Sequence, residues 1–165
     1  MSLDGYIAKE NDSLDFLKTV ECPGEDYGYY DFIKNTDTVI MGRKTYDMVL
    51  GFGIPFPHKE RKCYVLSRSK TGSDENVSFY KGPIETLIEE LAKQEGKDIF
   101  IDGGAETIHE LMQHKLIDKF IISVIPIMLG GGKSLFKAGR PQQGLKFLRS
   151  ATFPSGLVQL WYERK

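Results

Sequence analysis

Three places in the chain set small, cationic and hydroxyl-bearing residues directly after an apolar run. The first is "TVIMGRKTYD", Thr38 to Asp47, where Val39–Met41 stops at Gly42 and Arg43, Lys44 and Thr45 follow at once. The second is "YVLSRS", with Ser67 and Arg68 at its exit. In the third, "FIDGGAETIHELM", Asp102 precedes a Gly103-Gly104 pair and a helical pattern opens with Ala105, Glu106 and Thr107. Glycine removes the side chain that would hold a ligand off the backbone, and a helix start turns free N–H groups toward an anion. An arginine fork and a threonine hydroxyl add donors suited to phosphate oxygens. Taken singly, each exit is also what a turn beside a solvated charge looks like. On one sheet together they point to a ligand with separated phosphates, such as a nicotinamide dinucleotide carrying a 2′-phosphate.

A fourth glycine run, "IMLGGGKSLF", imitates the end of a phosphate-binding P-loop at Gly132-Lys133-Ser134. That loop needs a glycine five residues before the last one, and Ile127 stands there. Without the wide loop, backbone amides cannot wrap a triphosphate, so a tight turn after a strand is expected.

The elements that must position these residues can be read from periodicity. "GYIA" is a short run that reads as the tail of a strand. A helix is expected over Asp26–Lys34 with Tyr29, Tyr30, Phe32 and Ile33 as its apolar face, and a short one over Lys44–Leu50 stopped by Gly51 and Gly53. Val39–Met41, "KCYVLSR", "VSFYK" and "DIFID" read as strands. Pro83–Glu95 reads as a helix with a first-turn proline, an inward stripe of Leu87, Ile88, Leu91 and Ala92, and a stop at Gly96. Ala105–Lys115 reads as another, with Ile108, Leu111 and Met112 inward. "KFIISVIPIML" is a long strand whose far end Pro126 demotes to an edge or bulge, and 146–153 with 157–163 form a hairpin around Pro154-Ser155-Gly156. Strands alternating with helices imply an α/β fold: a mostly parallel sheet with helices on both faces, closed by a C-terminal antiparallel hairpin. Ligands in such sheets bind beyond the carboxyl ends of the strands.

The 165 residues suit one domain, 1–165, with 41% hydrophobic residues and a formal net charge of −1. Nothing is basic enough for a nucleic-acid track, so any pull on anions must be local. Cys22 and Cys63 lack metal spacing and no histidine clusters with them, so no metal is expected. A reduced cytoplasmic protein is the expectation, with a Cys22–Cys63 disulfide as the alternative. No apolar run approaches the ~20 residues of a membrane span, and no signal peptide is apparent.

"VIMGRKTYD", "YVLSRS" and "FIDGGAETI", in this order and at these intervals, resemble the cofactor segments of dihydrofolate reductase. "SLDGYIA", "LIDKFIISVIPIMLGGGKSLF" and the terminal hairpin bring the chain nearer to the reductase domain of the bifunctional riboflavin-biosynthesis deaminase-reductase and its small stand-alone relatives. The likeness covers nearly the whole chain. It implies a dihydrofolate-reductase-like three-layer sandwich that binds NADPH and reduces a pyrimidine- or pteridine-like ring or an opened ribose. Carried over, Gly42, Arg43, Lys44 and Thr45 would hold phosphates, with Ser67 and Arg68 near the 2′-phosphate. Gly103 and Gly104, joined by a cis peptide, would lie against nicotinamide and pyrophosphate. Ala105, Glu106 and Thr107 would open the helix below them, and Ala8 would face the nicotinamide.

The substrate end transfers less well. Asp102, Asp26 and Asp4 are the catalytic candidates; their plain alternatives are a strand-end acid, a helix-starting acid and a turn former before Gly5. "CPGEDYGYYDF" lacks the tryptophan-proline context of dihydrofolate reductase. A non-catalytic NADP-binding or sensor domain and a divergent dihydrofolate reductase are therefore the competing readings. The apolar and aromatic excess of "KFIISVIPIML" and "LVQLWYERK" points to a homodimer.

Overall fold

A computed structural model describes all 165 residues. In chain order they form strand β1 (Tyr6–Ala8), a 3-10 helix (Asp15–Val20), helix α1 (Tyr29–Lys34), β2 (Thr36–Gly42), α2 (Arg43–Gly51), β3 (Lys62–Leu66), β4 (Gly72–Ser73) and β5 (Ser78–Tyr80). There follow α3 (Ile84–Ala92), β6 (Asp98–Gly103), α4 (Ala105–Gln113), β7 (Lys119–Val124), β8 (Lys133–Ser134), β9 (Leu145–Thr152) and β10 (Val158–Arg164). The chain packs as two compact units, Gly28–His114 and Met1–Tyr27 with Lys115–Lys165.

The unit Gly28–His114 is built on a five-stranded sheet in the order β4-β5-β3-β2-β6, parallel except for β4. β2 is central and buried on both faces, which is why its sequence is a continuous apolar run rather than an alternation. Val39 and Met41 face a cluster with Tyr46, Phe56, Cys63, Val65 and Val77. Ile40 points the opposite way, onto Leu87 and Leu91 of α3. Each such side chain, fully removed from water, contributes about 1.5–3 kcal/mol. α3 buries Ile84, Leu87 and Leu91, one stripe at helical spacing. In the β2–β6 ladder Ile40 pairs Ile101 but Met41 pairs Gly103, so Asp102 is an extra residue at the strand exit.

Helix α1 is shorter than the periodicity implies. Tyr27 (φ 55°) and Gly28 (φ 77°) are both left-handed, which stops a right-handed helix from starting at Asp26. Only Ile33 of its expected apolar face is buried, while Tyr30 is 66% exposed. At the other end of the unit, α4 stops at Gln113, short of Lys115, which is itself left-handed (φ 55°).

The other unit carries an antiparallel sheet, β7-β10-β9, and a short β1-β8 pair. Phe16, Val20, Ile125 and Leu157 form its core, with Tyr27 and Phe153 packed edge to face at 4.8 Å. The expected hairpin is present, turning through Gly156 (φ 83°) with Gly156 N–H donating to the Phe153 carbonyl. The long strand expected across Pro126 ends at Val124: Pro126 has no N–H, and Ile127 N–H folds back to the Ile125 carbonyl at 2.8 Å. Gly132-Lys133-Ser134 belongs to the β1 pairing rather than to a phosphate loop. A side chain at Gly132 would strike the Ala8 carbonyl, so glycine is required there by close backbone approach. Both cysteines are free thiols. No helix is long and apolar enough to cross a membrane.

Candidate functional site

Parallel pairing brings the carboxyl ends of β2, β3 and β6 to one edge of the sheet in the unit Gly28–His114. Two helices start there, α2 after Gly42 and α4 after Gly104, and these glycine caps offer no side-chain hydrogen bond to the helix N–H groups. The two starts touch. A Cβ on Gly42 would lie 2.9 Å from Thr107 Oγ1, 3.7 Å from the Gly103 carbonyl and 3.8 Å from Gly104 N. A Cβ on Gly104 would lie 3.2 Å from Thr45 Oγ1. The Gly103–Gly104 peptide is cis, and Gly103 has φ 103°. Two helix N-termini whose caps are glycines thus sit side by side, with the Thr45 and Thr107 hydroxyls at their junction. Free N–H groups of this kind favour an anion by about 0.3–1 kcal/mol per helix end at exposed positions.

Around this floor the cations are differently committed. Arg43 pairs through Nε with Asp47 Oδ1 at 2.7 Å, a half-exposed i,i+4 pair on α2. Its guanidinium carbon also lies 5.9 Å from the centre of the Phe79 ring. Such a pair is worth about 0.3–0.5 kcal/mol, too little to withhold the fork from a phosphate. Lys44 and Arg68 are exposed. Ser67 Oγ accepts from Lys70 N–H at 2.9 Å and Ser69 N–H at 3.3 Å, so it shapes the loop after β3. Ala105 is half-buried at the first turn of α4, with Glu106 exposed and Thr107 buried.

Asp102 has a partner the sequence did not announce. Its Oδ2 lies 3.5 Å from Nε2 of His58, whose side chain is 3% exposed against 26% for Asp102. The imidazole stands edge-on to Phe56 and Phe100 at 5.7 and 6.1 Å, and its Nδ1 is buried without a protein partner. Burial, and then the Asp102 charge, raise the Tyr29 hydroxyl above its ordinary value. A carboxylate, an imidazole and a phenol therefore share one neighbourhood at the β6 exit.

Asp4, Ala8 and Asp26 lie in the other unit. Asp4 accepts from the Ser2 hydroxyl at 2.6 Å, Leu129 N–H at 3.1 Å and Gly130 N–H at 2.7 Å. These bonds, the Ser2 hydroxyl first, lower its pKa from 3.8 to about 2. It is an anion at neutral pH and holds the loop together. Asp26 sits in the turn before α1, half-buried. Ala8 is buried in β1, its carbonyl against Gly132.

The sequence reasoning missed His58, Lys70, Phe79 and the Asp47 partner of Arg43. Only Asp47 carried a readable signal, an acid four residues after an arginine on a helix. Two surface concavities of this unit, about 160 and 270 Å³, lie at the amino ends of β2 and β3, lined by residues such as Asp37, Lys97, Arg61 and Asn76. They are away from the strand exits and carry none of this chemistry.

Comparison with known proteins adds a family. The profile of the RibD C-terminal domain matches residues 1–159. The chain is similar to YwjB of Bacillus subtilis (strain 168), which is described as uncharacterized, with 40% identity over 99% of this chain and 94% of that protein. It superposes on a crystal structure from Shewanella sp. PV-4, provisionally assigned to riboflavin biosynthesis, with a TM-score of 0.92 and 35% identity over 100% of this chain and 95% of that one. A Thermotoga maritima diaminohydroxyphosphoribosylaminopyrimidine deaminase/5-amino-6-(5-phosphoribosylamino)uracil reductase shares the fold at a TM-score of 0.71 and 13% identity, over 99% of this chain and 54% of that one.

Proposed function

The chain belongs to the RibD C-terminal domain family, of dihydrofolate-reductase-like fold, and from that premise we propose that it is an NADPH-dependent reductase acting on a pyrimidine- or pteridine-like substrate. The activity it most resembles is that in the Thermotoga protein's description, reduction of a 5-amino-6-(5-phosphoribosylamino)uracil. One observation carries the reading: the N-termini of α2 and α4 lie side by side, so close that only glycine fits at Gly42, with the Thr45 and Thr107 hydroxyls at the junction. The chemistry of this pair of helix starts, N–H groups and hydroxyls without a carboxylate, fits a pyrophosphate.

NADPH, when bound, supplies the hydride. The chain's own residues bind and orient. The N–H groups at the starts of α2 and α4, the Thr45 hydroxyl and the Arg43 guanidinium, whose Nε is paired with Asp47, would hold the phosphates. Lys44 adds long-range attraction. Asp102 is the candidate proton carrier, with His58 fixing its carboxylate from the buried side. Incubating the protein with NADPH and pyrimidine, pteridine or opened-ribose substrates, while following loss of the reduced-nicotinamide absorbance, tests the catalytic half.

The competing reading, an NADP-binding module without turnover, draws support from Asp4, whose carboxylate is fully engaged by three donors. Bound cofactor with no oxidation across all three substrate classes would favour it. We further propose a two-fold dimer in the reducing cytoplasm. Strand β9 is an open edge of its sheet bearing exposed Leu145, Phe147 and Leu148, and both thiols are free.

A further inference from the structure

His58 is carried by a loop, yet its backbone is pinned. Its carbonyl accepts Arg61 N–H at 2.9 Å and the Cys63 thiol at 3.4 Å, which ties the turn to the start of β3. Phe56 and Phe100 stand edge-on to the imidazole, and only 3% of the side chain reaches solvent. A ring so enclosed cannot turn to water, so each of its nitrogens has one fixed surrounding. Nε2 lies 3.5 Å from Asp102 Oδ2, while Nδ1 is buried without a protein partner. Asp102 has no other protein donor, and its side chain is 26% exposed. Three further titratable or charged groups surround this pair. They are Arg61, whose Nη2 donates to the Ile33 carbonyl at 3.1 Å, the Cys63 thiol on β3 and the Tyr29 hydroxyl on α1.

These surroundings decide where the ring carries its proton. A proton on Nδ1 alone would bury an N–H with no acceptor and turn the Nε2 lone pair toward a carboxylate oxygen. Protons on both nitrogens would leave the same N–H unpaired and bury a second cation near Arg61. A proton on Nε2 alone aims the N–H at Asp102 and leaves only a lone pair unmatched. We propose that His58 is a positioning residue: as the neutral imidazole protonated on Nε2 it holds the Asp102 carboxylate as an acceptor, so that the site takes a substrate ring offering an N–H to that carboxylate. The inference rests on the reductase reading and narrows the part of Asp102 within it. A carboxylate held this way presents lone pairs to a ligand. A ring whose nitrogens carry no hydrogen leaves them unpaired, which is how such a site rejects it.

Long-range proton–nitrogen NMR of the imidazoles, on the full chain at neutral pH, reads the proton directly. The spectrum of His58→Gln identifies which of the three histidines gives each signal. The Nε2–H form is expected for His58, with one protonated nitrogen coupled to both ring C–H protons. An Nδ1–H or doubly protonated ring overturns the inference. Calorimetry on the NADP-loaded protein then tests the acceptor. Its probes are 5,6-diaminouracil, the ring in the Thermotoga protein's description, and the ring-N-methylated analogue. The wild type should bind the unmethylated ring at least about tenfold more tightly. His58→Leu should cut that ratio below about threefold, and His58→Gln, whose amide N–H reaches the Nε2 position, should restore it. NADPH affinity should be unchanged in both variants. Equal affinity of the wild type for the two rings, or a ratio that His58→Leu leaves intact, overturns the proposal while NADPH binding preserves the reductase reading. A wild type that binds no NADPH would bring down that reading and, with it, the substrate role of Asp102.

Discussion

The α-carbon of Gly42 and the hydroxyl of Thr107 leave no room for a methyl group: a Cβ on Gly42 would meet Thr107 Oγ1 at 2.9 Å. Thr107 is buried in the first turn of α4, so the obstruction cannot swing into solvent. Gly42→Ala should cost about 1–3 kcal/mol of stability, as overpacking does elsewhere, and weaken NADPH at least about tenfold by separating the two helix starts. Urea unfolding with parallel cofactor titration checks it. A variant as stable and as tight as the parent would show that the two exits are not coupled.

Asp4 makes the stability of its unit pH-dependent. Its folded pKa, about 2, is below the ordinary 3.8. Its contribution is thus complete above 3.8 and disappears as pH falls toward 2. Asp4→Asn would turn an amide N–H₂ toward the N–H groups of Leu129 or Gly130. The variant should be less stable at pH 7 and show a flatter fall in urea midpoint on acidification. Parallel curves for the two proteins would remove Asp4 from the account.

The two thiols should differ sharply in reactivity. Burial, aided by the Asp102 charge and opposed by Arg61, pushes Cys63 up to about 11, and its Sγ lies 3.4 Å from the His58 carbonyl. At pH 8 only about one molecule in a thousand carries that thiolate. Cys22 is exposed. A thiol reagent should label one site per chain quickly, and Cys22→Ser should abolish that phase until denaturant is added. Two thiols reacting at one rate would contradict the burial of Cys63.

The proposed dimer is tested through β9. Phe147 is 54% exposed and stacks edge-on with Tyr162 at 5.7 Å. Light scattering of the wild type should give twice 18.7 kDa at micromolar concentration, and Phe147→Lys should shift the mass toward a single chain. A wild-type mass near one chain would refute the interface.

The parts of this fold legible in the sequence are those made by neighbours in the chain. β2 with the start of α2, and β6 with the start of α4, each combine an apolar run, a glycine and a helix pattern within about fifteen residues, so local rules suffice. α1 was misjudged because its boundary depends on left-handed Tyr27 and Gly28, and an acidic residue at 26 looks like a helix start. His58 was invisible for a different reason. It stands alone in "PFPHKER", and its partner Asp102 arrives through the fold, where Phe56 and Phe100 enclose the imidazole. Lys70 likewise looks like one surface lysine among many until the Ser67 turn folds it over Phe79.

The central claim is that the apposed starts of α2 and α4 form a site for NADPH. Titrating the purified protein with NADPH, and separately with NADH, measures it most directly. The account predicts saturable NADPH binding with a Kd below about 100 µM and NADH at least about tenfold weaker, the extra phosphate finding charge-assisted donors. No binding of either nucleotide at about 1 mM, the weak end of ordinary cofactor affinities, would contradict it.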